Sequence, residues 1–395
     1  MSVVTRTATT RAVPPWRDAR VLRIAGQVAV LLAVGGVLAW MVTNFLAATE
    51  NLGLGFGFRF LGRQAGFGIS ESLIPYTSAA TYSTAFIVGV LNTLFVSFFG
   101  IILATILGVV VGVARLSSNW LLNHLAAGYV ELMRNTPLLL QLVVLYFVVF
   151  VQLPSVRDSF AVGETAFLNQ RGLYLPSPMP GDGFGLWMGL VAAGIVTLIA
   201  SHRRAGKLVT EGRHPGPLRW IGIAAAVALP VAGWLAVGGA PLTFESPTLG
   251  RFNFEGGIEL STAFLALLTG LVIYTAAFIG EVVRGAIQAV RRGQLEAARA
   301  LGLSEAQVLR LVVFPQALRI LVPPLTSQYL NLTKNSSLAI AVGYADLFSI
   351  GQTMSNQTGQ PVSVMILVMG TYLAISLITS VLMNVYNRRV QVLER

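Results

Sequence analysis

Lys334 is the charged side chain most awkwardly placed in this sequence, because it stands inside the otherwise apolar stretch 321–343. Ser327 and Asn331 precede it at helical spacing, so in a helix the three share a face, with Asn335 one position round. An ammonium withdrawn from water needs an anion, and the carboxylate of a solute would serve. A structural carboxylate, a helix C-terminus or snorkelling to the interface would serve as well. Asn92, Thr93 and Gln141 are further polar side chains in apolar runs. Each is costly in hydrocarbon and belongs on the inside of a helix bundle, which makes them candidates for a solute path. Used structurally, each would instead bond a neighbouring helix, for about 0.6–2 kcal/mol.

Other chemistry is scarce. The absence of cysteine removes disulfides, thiolate zinc sites and a cysteine nucleophile together. No G-x-x-x-x-G-K-[ST] phosphate loop occurs; the nearest, RRAGKL at Arg203 to Leu208, lacks the first Gly and the hydroxyl after Lys207. With only His124, His202 and His214, no HExxH helix and no paired intramembrane carboxylates, nothing points to an enzyme or to a bound cofactor or metal.

The elements that must position these residues follow from composition. Hydrophobic residues make up 55% and charged residues 11% of 395, too few polar side chains to coat a soluble globule. Runs of about 20 apolar residues predict eight membrane spans. They are 24–43, 85–114, 136–153, 184–200, 220–240, 260–280, 321–343 and 361–385, the seventh broken by Lys334. Thr136 as cap and Pro137 at the first helical position would open the third, and Pro323 and Pro324 the seventh. The first has no small-residue cleavage site after it and reads as a retained anchor. The glycine-rich stretch after it, up to Ile69, could lie in the membrane interface. Gly108 and Gly112 form a small-xxx-small pair for close helix packing, and Glu281 and Arg284 form an i,i+3 ion pair.

Of the 27 Lys and Arg, only Arg59, Arg63, Arg157, Arg171 and Arg251 fall opposite the side that holds Arg6, Arg11, Arg17, Arg20, Arg23, the loops 115–135, 201–219 and 284–319 and the tail. Lys334 alone lies within a span. The bias predicts cytoplasmic termini and accounts for the net charge of +11. Basic residues scattered over separate loops without an aromatic platform exclude nucleic acid as a partner. Five parts are expected: a tail, anchor and periplasmic segment over 1–84, working core over 85–153 and 259–385, an insertion with two plain spans over 154–258, and a cytoplasmic tail over 386–395.

The loop GQLEAARALGLSEAQVLRLVVFPQAL carries the most specific pattern. Gly293 and Gly302 bracket a short helix, residues 294–301, that Gly302 ends in the left-handed conformation. Glu296 is placed in its first turn, and Ala297 and Ala298 keep it thin enough to enter a cleft. Ser304 and Gln307 match a capping box for a second helix that runs until Pro315 interrupts it.

Glu296, Ala297, Ala298, three residues, Gly302, nine residues, Val312, any residue, Phe314 and Pro315 together resemble the EAA loop of ABC importer permeases, with Val and Phe for the usual Ile and Leu. The run TAAFIGEVVRGAIQAVRRGQLEAARALGL, with VLNTLFVS at Val90 to Ser97 and YVELMRNTPLLLQL at Tyr129 to Leu142, is similar to the polar amino-acid branch. The length and the segment LIPYTSAATYSTAFIVGVLNTL resemble the larger of the two permeases of general L-amino-acid systems. The resemblance implies an all-α polytopic fold, a five-helix permease core with extra helices, in the bacterial inner membrane. It implies a homologous second permease, an ATPase dimer that binds ATP and Mg and receives the coupling helix, a periplasmic binding protein, and an amino-acid substrate. An ion-coupled secondary transporter is the alternative, for which no acidic relay or self-sufficient repeat is visible. A plain membrane anchor would have no use for the loop.

Overall fold

The computed structural model describes residues 19–51, 57–238 and 240–390. Arg6, Arg11, Arg17, the end of the tail and Leu52 to Phe56 lie outside them. Apolar stretches become helices because a helix satisfies its own backbone where water is absent. Among the described residues seven helices are long and apolar enough to cross a membrane, or eight if one bent pair counts as a crossing.

Helix α1 (Ala19–Asn51) keeps all its described side chains exposed and packs on almost nothing else. In the segment after it Phe60 and Ala65 are buried with Tyr82, and the Asn92 amide donates to the Glu71 carbonyl just beyond. Helix α2 (Tyr82–Ala114) is capped by Thr81, whose Oγ1 accepts from the Thr84 N–H at 3.3 Å. Helix α3 (Trp120–Asn135) is capped by Asn119 and ends in a bend of 104° before α4 (Leu138–Val144) and a π-helical turn at Leu145–Phe150.

The straight third span expected over 136–153 is therefore a short bent arm. Thr136 closes α3 instead of opening α4, its hydroxyl donating to the Leu132 carbonyl at 2.8 Å, and Pro137 is the residue before the first turn. The cause is local: proline forces the residue ahead of it to be extended, and Thr136 sits at φ −108°, ψ 138°.

The insertion holds short strands that period reasoning passed over. Strands β1 (Phe160–Val162), β2 (Ala166–Asn169), β3 (Gly172–Leu175), β4 (Ser177–Pro180), β5 (Leu242–Glu245), β6 (Thr248–Leu249), β7 (Phe254–Glu255) and β8 (Ile258–Ser261) make three small antiparallel sheets, β1-β2-β3-β8, β4-β5 and β6-β7. Between β4 and β5, α5 (Phe184–Thr210) and α6 (Leu218–Val237) form a hairpin. Helix α5 continues ten residues past Ala200 and carries Arg203, Arg204 and Lys207.

Strand β8 runs directly into α7 (Thr262–Gln288), capped by Ser261, and α7 against α2 is the principal helix contact. Gly108 and Gly112 permit it: a Cβ at 108 would lie 2.6 Å from Ile279 Cβ, and one at 112 would lie 2.6 Å from the Gly280 carbonyl oxygen.

After α7 come α8 (Arg292–Ala300), α9 (Glu305–Gln307), a π-helical turn at Val308–Val313 and α10 (Phe314–Asn335), which tightens into a 3₁₀ turn at Ser336–Ala341. Pro315 thus does not stop the second helix. It follows a π turn where the regular i→i−4 ladder is already broken, so its missing N–H costs little there. Pro323 and Pro324, expected at the start of a span, lie inside α10. Helix α11 (Leu347–Thr358), too short to signal a span, packs on α2 and on α12 (Pro361–Val390).

Candidate functional site

The projecting elbow between α7 and α10 is built on one small core. Leu295 and Ala298 of α8 turn inward onto Val308 and Val313, with Ala286, Val290 and Ala317 beneath. Gly302 has φ +77° with open space around it, so its requirement is backbone conformation alone. The turn is a full Schellman closure: the Leu303 N–H donates to the Ala298 carbonyl at 3.3 Å and the Gly302 N–H to the Arg299 carbonyl at 2.9 Å. Across it the guanidinium of Arg299 forks onto Glu305, at 2.8 and 3.1 Å. Ser304 and Gln307 form both bonds of the capping box.

Two expectations about this helix are corrected. It starts at Arg292, so Gly293 lies inside it, and Glu296 stands in the second turn, beyond the N-terminal dipole, acting electrostatically on Arg299. What projects is Glu296, Ala297 and Leu301, the last 81% exposed, with Pro315 exposed behind the elbow; Ala298 belongs to the inner face.

The polar residues in apolar runs divide into two groups. Asn92 and Thr93 are buried and bonded to the protein's own backbone. The Asn92 amide donates to the carbonyls of Glu71 and Ala345, both at 2.9 Å, and Thr93 Oγ1 accepts from the Leu347 N–H at 3.0 Å. Gln141 donates to Met133, Thr136 and the Thr136 hydroxyl, holding the α3–α4 bend, while its buried Oε1 has no partner. Ser327, Asn331 and Lys334 do share one face of α10, and that face is exposed; Asn335 is half-buried beside it.

Three polar groups escaped sequence reasoning. Asp346, buried, caps α11 through the Ser349 N–H at 2.8 Å and accepts from the Tyr372 hydroxyl at 3.0 Å. Glu71 accepts from the Ser261 N–H at 3.1 Å, tying the segment before α2 to the start of α7. Burial pushes its carboxyl up to about 7, against the pull of that N–H, with Glu259 adding a smaller upward push. Arg115, at the end of α2, bonds Glu281, which also holds Arg284, so the expected local pair is an inter-helix triad. Aspartate before an apolar turn is a cap signal that could have revealed Asp346.

Seven or eight apolar helices of crossing length among the described residues define a multi-pass membrane protein. The chain belongs to the family of binding-protein-dependent transport system inner membrane components, whose profile matches residues 100–392. It is 46% identical to YhdX of Escherichia coli strain K12, provisionally described as an amino-acid ABC transporter permease, over 93% of this chain and 94% of that one. It is 43% identical to the general L-amino acid transport system permease protein AapQ of Rhizobium johnstonii, over 96% of this chain and 94% of that one. It is 40% identical to BztB of Rhodobacter capsulatus, a glutamate/glutamine/aspartate/asparagine transport system permease protein, over 96% of each.

Proposed function

We propose that this chain is the permease subunit of an ATP-driven amino-acid importer in the bacterial inner membrane, with both termini cytoplasmic. It forms the translocation path with a homologous second permease and passes motion through α8 to a separate ATPase that binds ATP and Mg. A periplasmic binding protein delivers the amino acid. The observation that carries this reading is the elbow: a helix stopped by Gly302, braced by its own small core and offering Glu296, Ala297 and Leu301 outward. The relatives' names support the amino-acid class.

The open face of α10 is where the solute path is placed, with Lys334 set to meet a substrate carboxylate and Ser327 and Asn331 beside it. Asn92, Thr93 and Gln141 hold the helices that frame the path. Lys334→Gln is expected to raise the KM for uptake about tenfold or more with an unchanged melting temperature, since the exposed side chain has no ion-pair partner among the described residues to lose. An unchanged KM would remove Lys334 from the path.

The test of the coupling role is Gly302→Val. A β-branched residue at φ +77° opposes the elbow's geometry by about 1–2 kcal/mol while leaving the spans alone. The variant should insert normally but lose copurification of the ATPase, or keep it with uncoupled hydrolysis. Full ATP-driven uptake by that variant would refute the docking role.

A further inference from the structure

The tip of the α5–α6 hairpin carries a charge concentration that neither the solute path nor the elbow uses. Arg203, Arg204 and Lys207 come from the end of α5, Arg213 from the turn and Arg219 from the start of α6, against one carboxylate, Glu211. All are exposed, and none of the five cations is ion-paired among the described residues. Ala205 is buried and Leu208 half-buried on the inward side, so Arg203, Arg204 and Lys207 occupy the outward face of the helix.

Their height along the hairpin is fixed by packing between α5 and α6. Ser201 sits against Gly222, where a Cβ would lie 1.9 Å from the serine oxygen, and the apolar run of α5 ends at Ala200. At 1.5 Å per residue, Arg203, Arg204 and Arg219 stand roughly 3–5 Å beyond that level and Lys207 about 9 Å. Trp220, 73% exposed, projects at the same height. An indole and a ring of guanidiniums at the end of an apolar span match the headgroup layer. The hairpin packs on itself and scarcely on the other helices, so lipid surrounds it.

We propose that this tip binds the phosphates of anionic phospholipid headgroups, and that this contact sets the depth of a hairpin the core does not hold. Arginine forks suit phosphate oxygens, and the five-to-one charge excess attracts anionic lipid over zwitterionic lipid.

The full-length chain reconstituted in nanodiscs of phosphatidylcholine with a minor fraction of phosphatidylglycerol provides the test, with bromine on the acyl chains of one lipid or the other. The Trp220 signal is the fluorescence of the wild type minus that of Trp220→Phe. Brominated phosphatidylglycerol is expected to quench it roughly threefold or more efficiently, mole for mole, than brominated phosphatidylcholine. The preference should vanish in about 0.5 M salt and when Arg203, Arg204, Lys207, Arg213 and Arg219 are all replaced by Gln. Equal quenching of the Trp220 signal by the two lipids overturns the proposal without the variant of five replacements having to fold. A preference that survives the five replacements overturns the assignment to these side chains. Equal quenching with Lys207 shielded from an amine reagent by a copurifying protein would give the patch to an acidic protein partner instead.

Discussion

Glu71 accepts one backbone N–H and is otherwise largely withdrawn from water, and the balance leaves its carboxyl pushed up to about 7. Its ionised form is disfavoured in the folded chain. The penalty is absent below about 4.5, grows as pH rises toward 7 and is complete above, reaching about 3 kcal/mol. Glu71→Gln keeps an acceptor for Ser261 without the charge. It should therefore melt higher than the wild type at pH 8, with a gap that closes as pH falls toward 5; a gap independent of pH would contradict the account. Glu281 is the opposite case, a carboxylate matched by Arg115 and Arg284. Glu281→Gln and Arg115→Gln should each cost about 1–3 kcal/mol in thermal stability, and together clearly less than the sum of the two. The Glu281–Arg284 half of this cluster was legible from its i,i+3 spacing. The Arg115 half was not, because its partner lies 166 residues away and only the α2–α7 contact brings it near.

At the scale of elements, Gly112→Leu should drive α2 from α7, because even its Cβ would clash with the Gly280 carbonyl, whereas Gly128→Leu in α3 has nothing within 4 Å and should be tolerated. Folded yield and melting temperature in detergent read both; equal behaviour of the two variants would contradict the packing. The apolar runs that became α1, α2, α5, α6, α7 and α12 were legible because composition alone decides them. The bend at Thr136 and Pro137 and the unbroken passage through Pro315, Pro323 and Pro324 were not. In each, proline was read as a boundary, while the chain answered with an extended residue in one place and a π turn in another. Strands of two to four residues carry too few side chains to show a period, and α11 is too short to be sought as a span. The turn of the elbow was legible at Gly302, Ser304 and Gln307, which act through local backbone geometry, while the start of its first helix and the course past Pro315 were not.

Many large apolar side chains stand exposed along the described helices. Helix α1 lies open along its length, α5 and α6 pack on each other, and the polar face of α10 is uncovered. Lipid covers most of this surface, and in the proposed assembly the second permease meets the face that carries Ser327, Asn331 and Lys334. In that assembly, with cytoplasmic termini, the +11 charge serves orientation in the membrane. The central claim is that solute movement is driven by a partner's ATP hydrolysis delivered through the elbow. Proteoliposomes holding this chain with its second permease and ATPase, given the binding protein outside and Mg and ATP inside, test it most directly. The account predicts amino-acid accumulation only when every component and ATP are present. Accumulation by this chain alone, driven by a proton or sodium gradient, would contradict it.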